Sequence, residues 1–341
     1  MNKNIFYKKS VLVTGGSGSI GSGIIKSLIK KNCKVIRVLS NDENGIYELS
    51  EQINNLNKKL RIKMINHRIR YLVGDIRDLK RCILATSGID IVIHAAALKH
   101  VPICEYNKDE AYKTNVLGTK NLIKAAVKNK IKKFLFISTD KAADPTSIMG
   151  KSKLAAERLI IKANKEKIIT KFSVIRFGNI LFSRGSVVFK FLQQIKSNQK
   201  ITVTGLTVSR FFISISDAVN RISESILLMR GGEIFIVMKM QSFMIIDLAK
   251  AIKLIYKKNN TIQIIGLREG EKKYEKLVSS RENLLIHKKS KNLGIVIKNK
   301  KITKKNGIKT YTDSRFSKHL NSTEIMKILN KENFLRNDLS K

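Results

Sequence analysis

Six short apolar runs, each closed by small or polar residues, constrain this chain more than any other feature. They are "SVLVT" (10–14), "KVIRVL" (34–39), "IRYLVGD" (69–75), "IVIHAA" (91–96), "KFLFIS" (133–138) and "FSVIRF" (172–177). Near-continuous apolar strands are buried on both faces, as in a parallel sheet. Amphipathic stretches such as "SIGSGIIKSLIKK" and "TNVLGTKNLIKAAVKN" lie between them. Strand, helix, strand at this spacing predicts an α/β fold with a Rossmann-type, doubly wound parallel sheet. Beyond residue 180 the pattern is less regular. A strand at "GEIFIVM" (232–238) and helices near 243–258 and 323–330 remain readable, and the lysine-rich 285–310 stretch is expected to form surface hairpins or loops. There is no internal repeat and no long Gly/Ser/Pro linker, so the later part reads as a smaller lobe packed on the first domain.

The first run opens into "VTGGSGSIGSG", which places Gly15, Gly18 and Gly21 between a strand and a helix. The first glycine allows the tight turn, the second lets backbone approach a pyrophosphate, and the third lets helix pack on strand. With five further strands behind it, the loop predicts dinucleotide binding, and Ser17, Ser19 and Ile20 belong to the same cradle. The second run ends in Ser40, Asn41 and Asp42, which compete for the adenosine ribose. Asp42 points to NAD, and neighbouring lysines leave NADP open. In "GDIRD", Asp75 and Ile76 are expected at the adenine edge. The small residues Ala95, Ala96 and Ala97 let a cofactor lie against backbone, with Lys99 beside both cofactor and substrate. His94 reads as a satisfied core histidine. Asn115 either satisfies a backbone group beside the site or acts in it directly. Residues 1–180 are thus expected to form the NAD(P)-binding domain with the catalytic residues, and 181–341 mainly a substrate-binding lobe with some segments returning to the first domain.

Composition excludes several classes. No apolar run among the 341 residues reaches the about 20 needed to span a bilayer. The N-terminus enters a strand and glycine loop directly, which suggests a cytoplasmic protein without a membrane partner. The three cysteines are scattered and the five histidines form no ligand pair, so no metal is expected. The formal charge of +41 is spread along the chain without interleaved aromatics. Lys, Ile and Asn rising together suggests drift in an AT-rich genome more than nucleic-acid binding, with assistance to an anionic substrate as a third reading.

One further block, "STDKAADPTSIMGKSK" (138–153), closes the fifth run and sets Met149 four residues before Lys153. By itself "STDK" is also a strand end with a cap or turn. Together with "VTGGSGSIGS", "GDIRD", "HAAALKHVPICE", "KTNVLGTKNLI", "RFGNILFSRGSV", "TVTGLTVSRFFISISDAV" and "IIGLREGEKKYEKLVS", however, it resembles the extended short-chain dehydrogenases. Within them the chain looks like the nucleotide-sugar 4,6-dehydratases acting on UDP-N-acetylglucosamine in surface polysaccharide biosynthesis, the soluble capsule and O-antigen branch. The resemblance runs from residue 10 to about 280, and "STEIMKILNKENFLRNDL" extends it to the end.

That resemblance implies an internal redox cycle with NAD or NADP that stays bound and is recycled. C4 of the hexose is oxidised, water leaves across C5 and C6, and hydride returns to C6. Lys141 matches the base for C5, Asp140 the acid for the C6 hydroxyl, Thr139 a partner of the C4 oxygen, and Lys153 the holder of the nicotinamide ribose. Met149 stands where short-chain dehydrogenases usually carry tyrosine. Several branches of this family carry methionine there, which leaves Asp140, through water, as the replacement at the C4 hydroxyl. At the sugar-nucleotide end, Asn179, Arg184 and Ser186 are expected on the diphosphate, and Thr204, Arg210, Arg268 and Glu271 toward the diphosphate and uridine. The chain departs from relatives at Asn41, often arginine, and at "VTGLTVSR", which lacks an acidic-proline step. The resemblance also implies a homo-oligomer, dimer or hexamer. Three alternatives stay open: a dehydratase that retains C5, a UDP-sugar 4-epimerase, which "TDK" with Met149 disfavours, and a non-catalytic NAD- or nucleic-acid-binding protein.

Overall fold

The computed structural model describes residues 4–60, 68–165, 168–279, 282, 286–296 and 312–331. Its main sheet begins with β1 (Ser10–Thr14), β2 (Val35–Ser40), β3 (Ile69–Val73), β4 (Ile91–His94), β5 (Lys133–Ile137) and β6 (Lys171–Arg176). These pair in parallel in the order β3-β2-β1-β4-β5-β6. β1 and β4 are buried along their whole length, as their unbroken apolar runs require. The edge strand β3 is only partly buried.

Later strands are β7 (Asn179–Ile180), β8 (Ile201–Val203), β9 (Ser209–Ile213), β10 (Ile234–Val237), β11 (Gln241–Met244), β12 (Ile262–Ile264), β13 (Ile286–Lys288) and β14 (Leu293–Val296). β10 joins β6 in parallel, β14 runs antiparallel to β10, and β13 antiparallel to β14. The expected hairpin within 285–310 is present as β13 and β14, but its surface placement is corrected: Leu293–Val296 is a buried strand of the main sheet, hidden in the sequence by its lysine-rich flanks. Residues 297–310 lie outside the described residues.

Helix Ile215–Leu228 returns to the main sheet, where it packs on helix Ser19–Ile29, and much of the remaining later chain builds a lobe. β11-β9-β7 and β12-β8 form two small sheets. Helices Val187–Lys196, Ile245–Tyr256 and Ser322–Lys331 pack beside them. Phe191, Leu192, Phe243, Leu248, Ile252 and Leu329 give this lobe an apolar core distinct from that of the main sheet. In the main sheet, chain order reverses between β1 and β4. Crossovers leave such a point in opposite directions and open a crevice at the strands' C-terminal ends. The glycine loop, Ala95–Ala97 and "STDK" all follow strand ends at this edge.

Candidate active site

A cavity of about 750 Å³ fills the crevice between the sheet edge and the lobe. At its glycine loop, Gly15 has φ +63°, and a Cβ there would stand 2.7 Å from the Ala96 backbone. A Cβ on Gly21 would stand 2.2 Å from the Gly15 carbonyl. Gly18 caps helix Ser19–Ile29 without a side-chain cap bond, which leaves the helix N-terminus to an anion. These features fit the pyrophosphate of a dinucleotide. Ser19, Ile20, Ala95 and Ala97 line the same space.

At the ribose end, Ser17 Oγ and Ser40 Oγ lie 2.8 Å apart, and Asp42 accepts the Gly45 amide at 2.8 Å. That amide bond and the Arg184 guanidinium hold the Asp42 carboxyl below its usual range despite partial burial. Arg184 itself is a surprise. Expected on the substrate diphosphate, it reaches to Asp42 at 3.2 Å and to the Ser17 carbonyl at 3.0 Å. Its amide donates to Ser19 Oγ at 2.9 Å, and Lys99 Nζ donates to its carbonyl. Arg184 and Lys99 are therefore joined over the dinucleotide side. Asn41, Asp75 and Ile76 line the cavity, with Asp75 anchored by Arg77 at 2.8 Å.

Asn115 takes the first of its two expected roles and satisfies backbone groups beside the site. It is buried in a wide helical turn (Lys113–Gly118), and its carboxamide is consumed by the Leu98 amide at 2.8 Å, the Leu98 carbonyl at 3.1 Å and Ser152 Oγ at 2.9 Å. It fixes the loop after β4 from behind. His94 is a core histidine, bonded to Thr14 and Thr119 and packed on Phe136.

Beyond β5 the chain turns sharply. Thr139 caps a short turn at Asp140–Ala142 by accepting the Lys141 amide. Asp140 is fully buried; its Oδ1 accepts from Thr139 Oγ1 at 2.9 Å and Lys141 Nζ at 3.0 Å, while Oδ2 is buried without a hydrogen-bond partner. Lys141 Nζ also donates to Asn179 Oδ1 at 2.9 Å. Asn179, expected on the diphosphate, thus joins the lysine instead. Thr139 and Lys141 line the cavity, with Asp140 bonded to both. Burial raises the Asp140 carboxyl, Lys141 offsets part of this, and Glu275 adds to it. Burial works to lower Lys141, but the Asp140 and Glu275 carboxylates outweigh it and keep it an ammonium.

The next helix, Ile148–Lys162, starts at Ser147, whose hydroxyl accepts the Gly150 amide at 3.1 Å. This start sets Met149 against Cys104 and Ala111 while it still borders the cavity. One turn on, Lys153 donates to the Ile137 carbonyl at 2.7 Å with its ammonium 4.0 Å over the Phe136 ring. Burial lowers it to about 7.

On the lobe side, Arg210 is buried and donates to Glu271 at 2.7 Å. Glu271 also accepts from Thr204 Oγ1 at 3.1 Å and the Arg268 amide at 3.2 Å. These four expected residues form one cluster, with the Arg268 side chain exposed. Ser186 sits at the start of helix Val187–Lys196, and its hydroxyl is buried without a partner. Sequence reasoning missed Glu275, which lies in the quoted "EGEKKYEKLVS" and brings a buried carboxylate to 3.5 Å from Lys141. Nothing in its spacing marks it out, since the contact crosses from lobe to sheet. Among the described residues no His/Cys/Asp/Glu group suited to a metal ion occurs.

The family model described as "Polysaccharide biosynthesis protein" matches residues 11–296. An uncharacterised membrane protein of Methanocaldococcus jannaschii is 44% identical over 97% of this chain and 98% of its own length. A UDP-glucose 4-epimerase of Rickettsia canadensis is 39% identical over 82% of this chain and 80% of its own. Among solved structures, Pen from Bacillus thuringiensis superposes with a TM-score of 0.86 at 39% identity, covering 96% of this chain and 99% of that one. Among the described residues no helix is long and apolar enough to cross a membrane.

Proposed function

Because the chain belongs to the polysaccharide biosynthesis protein family, we propose that it is a nucleotide-sugar 4,6-dehydratase acting on UDP-N-acetylglucosamine, and that it holds NAD(P) at the glycine loop. The observation that carries this reading is Lys141 and Asn179 bonded to each other on the wall of the cavity that also contains the glycine cradle, with Asp140 bonded to Lys141 from behind. Elimination needs an acid and a base together, whereas exchange of C4 configuration alone does not.

Bound NAD(P) supplies the hydride acceptor for C4 and the donor for C6. The residues of this chain do the rest. Lys153, near neutrality in its buried place, sits where the nicotinamide ribose would be held. Thr139 presents a hydroxyl at the cavity wall for the C4 oxygen. Asp140, its carboxyl raised by burial, takes the C4 hydroxyl proton through Thr139 or a water and passes it to the departing C6 hydroxyl, which leaves as water. Lys141, which lines the cavity, first releases its own proton to water there, takes the C5 proton as the free amine, and returns a proton to C5 after exchange with water. Ser186 and the helix behind it, with Arg210 and Arg268, form the anion-binding side for the diphosphate.

A second reading, a UDP-sugar 4-epimerase, is favoured by one observation, the name of the Rickettsia relatives. Incubation with UDP-N-acetylglucosamine in deuterated water, followed by mass spectrometry and proton NMR, separates the two. Dehydration gives loss of one water with deuterium at C5, and the C5 coupling gives its configuration. An isobaric epimer without deuterium would sink the dehydratase reading, and Lys141→Met should cut dehydration by about 10²–10⁴-fold.

A further inference from the structure

The acid–base pair is not a pair. Lys141 faces two carboxylates, Asp140 at 3.0 Å and Glu275 at 3.5 Å. Glu275 comes from the lobe and is almost fully buried. Its backbone is fixed on both sides by Ser314, whose hydroxyl accepts the Glu275 amide and whose amide donates to the Glu275 carbonyl, each at 2.9 Å. Its Oε2 is buried without a hydrogen-bond partner, with Lys272 Nζ at 3.6 Å. Lys272 is itself committed to the Ala143 carbonyl at 2.8 Å, in the catalytic turn. A carboxylate is not buried in this way without a charge to face.

We propose that Glu275 is a positioning residue of the acid–base group, holding Lys141 from the lobe side so that Asp140 can take up and pass on a proton. Two carboxylates around one ammonium cannot both ionise as readily as one. The charges facing this group are Arg210 from β9, Lys272 from the lobe loop, and Asp140 and Lys141 from the catalytic turn. Burial pushes Glu275 up, but Lys141, Arg210 and Lys272 outweigh it and hold it below the usual carboxylate range, while Asp140 is held above it, which makes Glu275 the more readily charged of the two. Because Glu275 sits on the lobe, the protonation of the catalytic turn is tied to the lobe's seating on the sheet.

This role rests on the dehydratase reading, but its test does not need turnover. Competitive acetylation read by mass spectrometry follows the titration of Lys141 in the intact protein. In Glu275→Gln, Lys141 should titrate at lower pH than in wild type, and Glu275→Asp should return it toward the wild-type midpoint. An unchanged midpoint in Glu275→Gln overturns the proposal, because a residue that only anchors the lobe loop would change stability without moving Lys141. Should Glu275→Gln fail to fold, Lys141→Met carries the test: glutamate labelled with 13C at Cδ must show Glu275 titrating higher than in wild type, and no rise overturns the proposal. With UDP-N-acetylglucosamine, the pH profile of C5 deuterium exchange in Glu275→Gln should move to lower pH. A wild-type protein that exchanges no C5 deuterium, with the Lys141 shift present, sinks the dehydratase reading alone and leaves Glu275 coupled to Lys141.

Discussion

Lys153 shows how one residue's surroundings set its chemistry. Its methylene stem lies inside the fold and its ammonium has one carbonyl and one ring face, which replace little of the lost hydration. Its value falls from 10.5 to about 7, so between those two pH values the folded chain binds fewer protons than the unfolded one. Stability from this group therefore rises with pH across that window and is lost below it. Urea unfolding of wild type and Lys153→Met from pH 6 to 10 should show that rise in wild type and its loss in the variant. Met149 teaches the complementary point. The thioether packs on Cys104 and Ala111 and still borders the cavity, so a core role and a site position coincide.

The element that does most is the turn from β1 into helix Ser19–Ile29. Its geometry is set by backbone approach, not by side chains: Gly15 against Ala96, Gly21 against the Gly15 carbonyl. Gly15→Ala adds both a left-handed strain of about 1–2 kcal/mol and a backbone clash. We expect it to weaken NAD binding by at least about tenfold, the equivalent of 1.4 kcal/mol, as read by cofactor titration, while far-UV circular dichroism keeps its α/β signature. The strap carrying Arg184 belongs to this element too, since its guanidinium and amide both return to the glycine loop.

Across the whole molecule, the sheet, helix Ile148–Lys162 and the 277–282 segment of the later chain meet at Arg176. Its guanidinium, fully buried at the end of β6, donates to Glu157 on helix Ile148–Lys162 at 2.8 Å and to Glu282 at 2.8 Å. It also donates to the Leu277 carbonyl at 3.1 Å. Removing one member of such a group strands the others in low dielectric, and Arg176→Met should cost about 3–5 kcal/mol. The denaturation midpoint at neutral pH checks this, and an unchanged midpoint would mean the 277–282 segment is held by its apolar contacts alone.

Much was legible without coordinates, for identifiable reasons. Continuous apolar runs are buried on both faces, so the six parallel strands followed from local pattern, and glycines at 15, 18 and 21 have one economical use between strand and helix. "STDK" and "MGKSK" sit next to each other in sequence, but "STDK" alone also reads as a strand end, and the roles of Thr139, Asp140, Lys141 and Lys153 came from the resemblance. What only the tertiary structure decided are contacts between distant segments. Arg184 turning to the dinucleotide side, Asn179 joining Lys141, Asn115 spent on Leu98, β14 entering the sheet and Glu275 reaching Lys141 all depend on where the chain returns. No periodicity encodes that, because a carboxylate's partner across the crevice is chosen by packing and by the energy of leaving a buried charge alone.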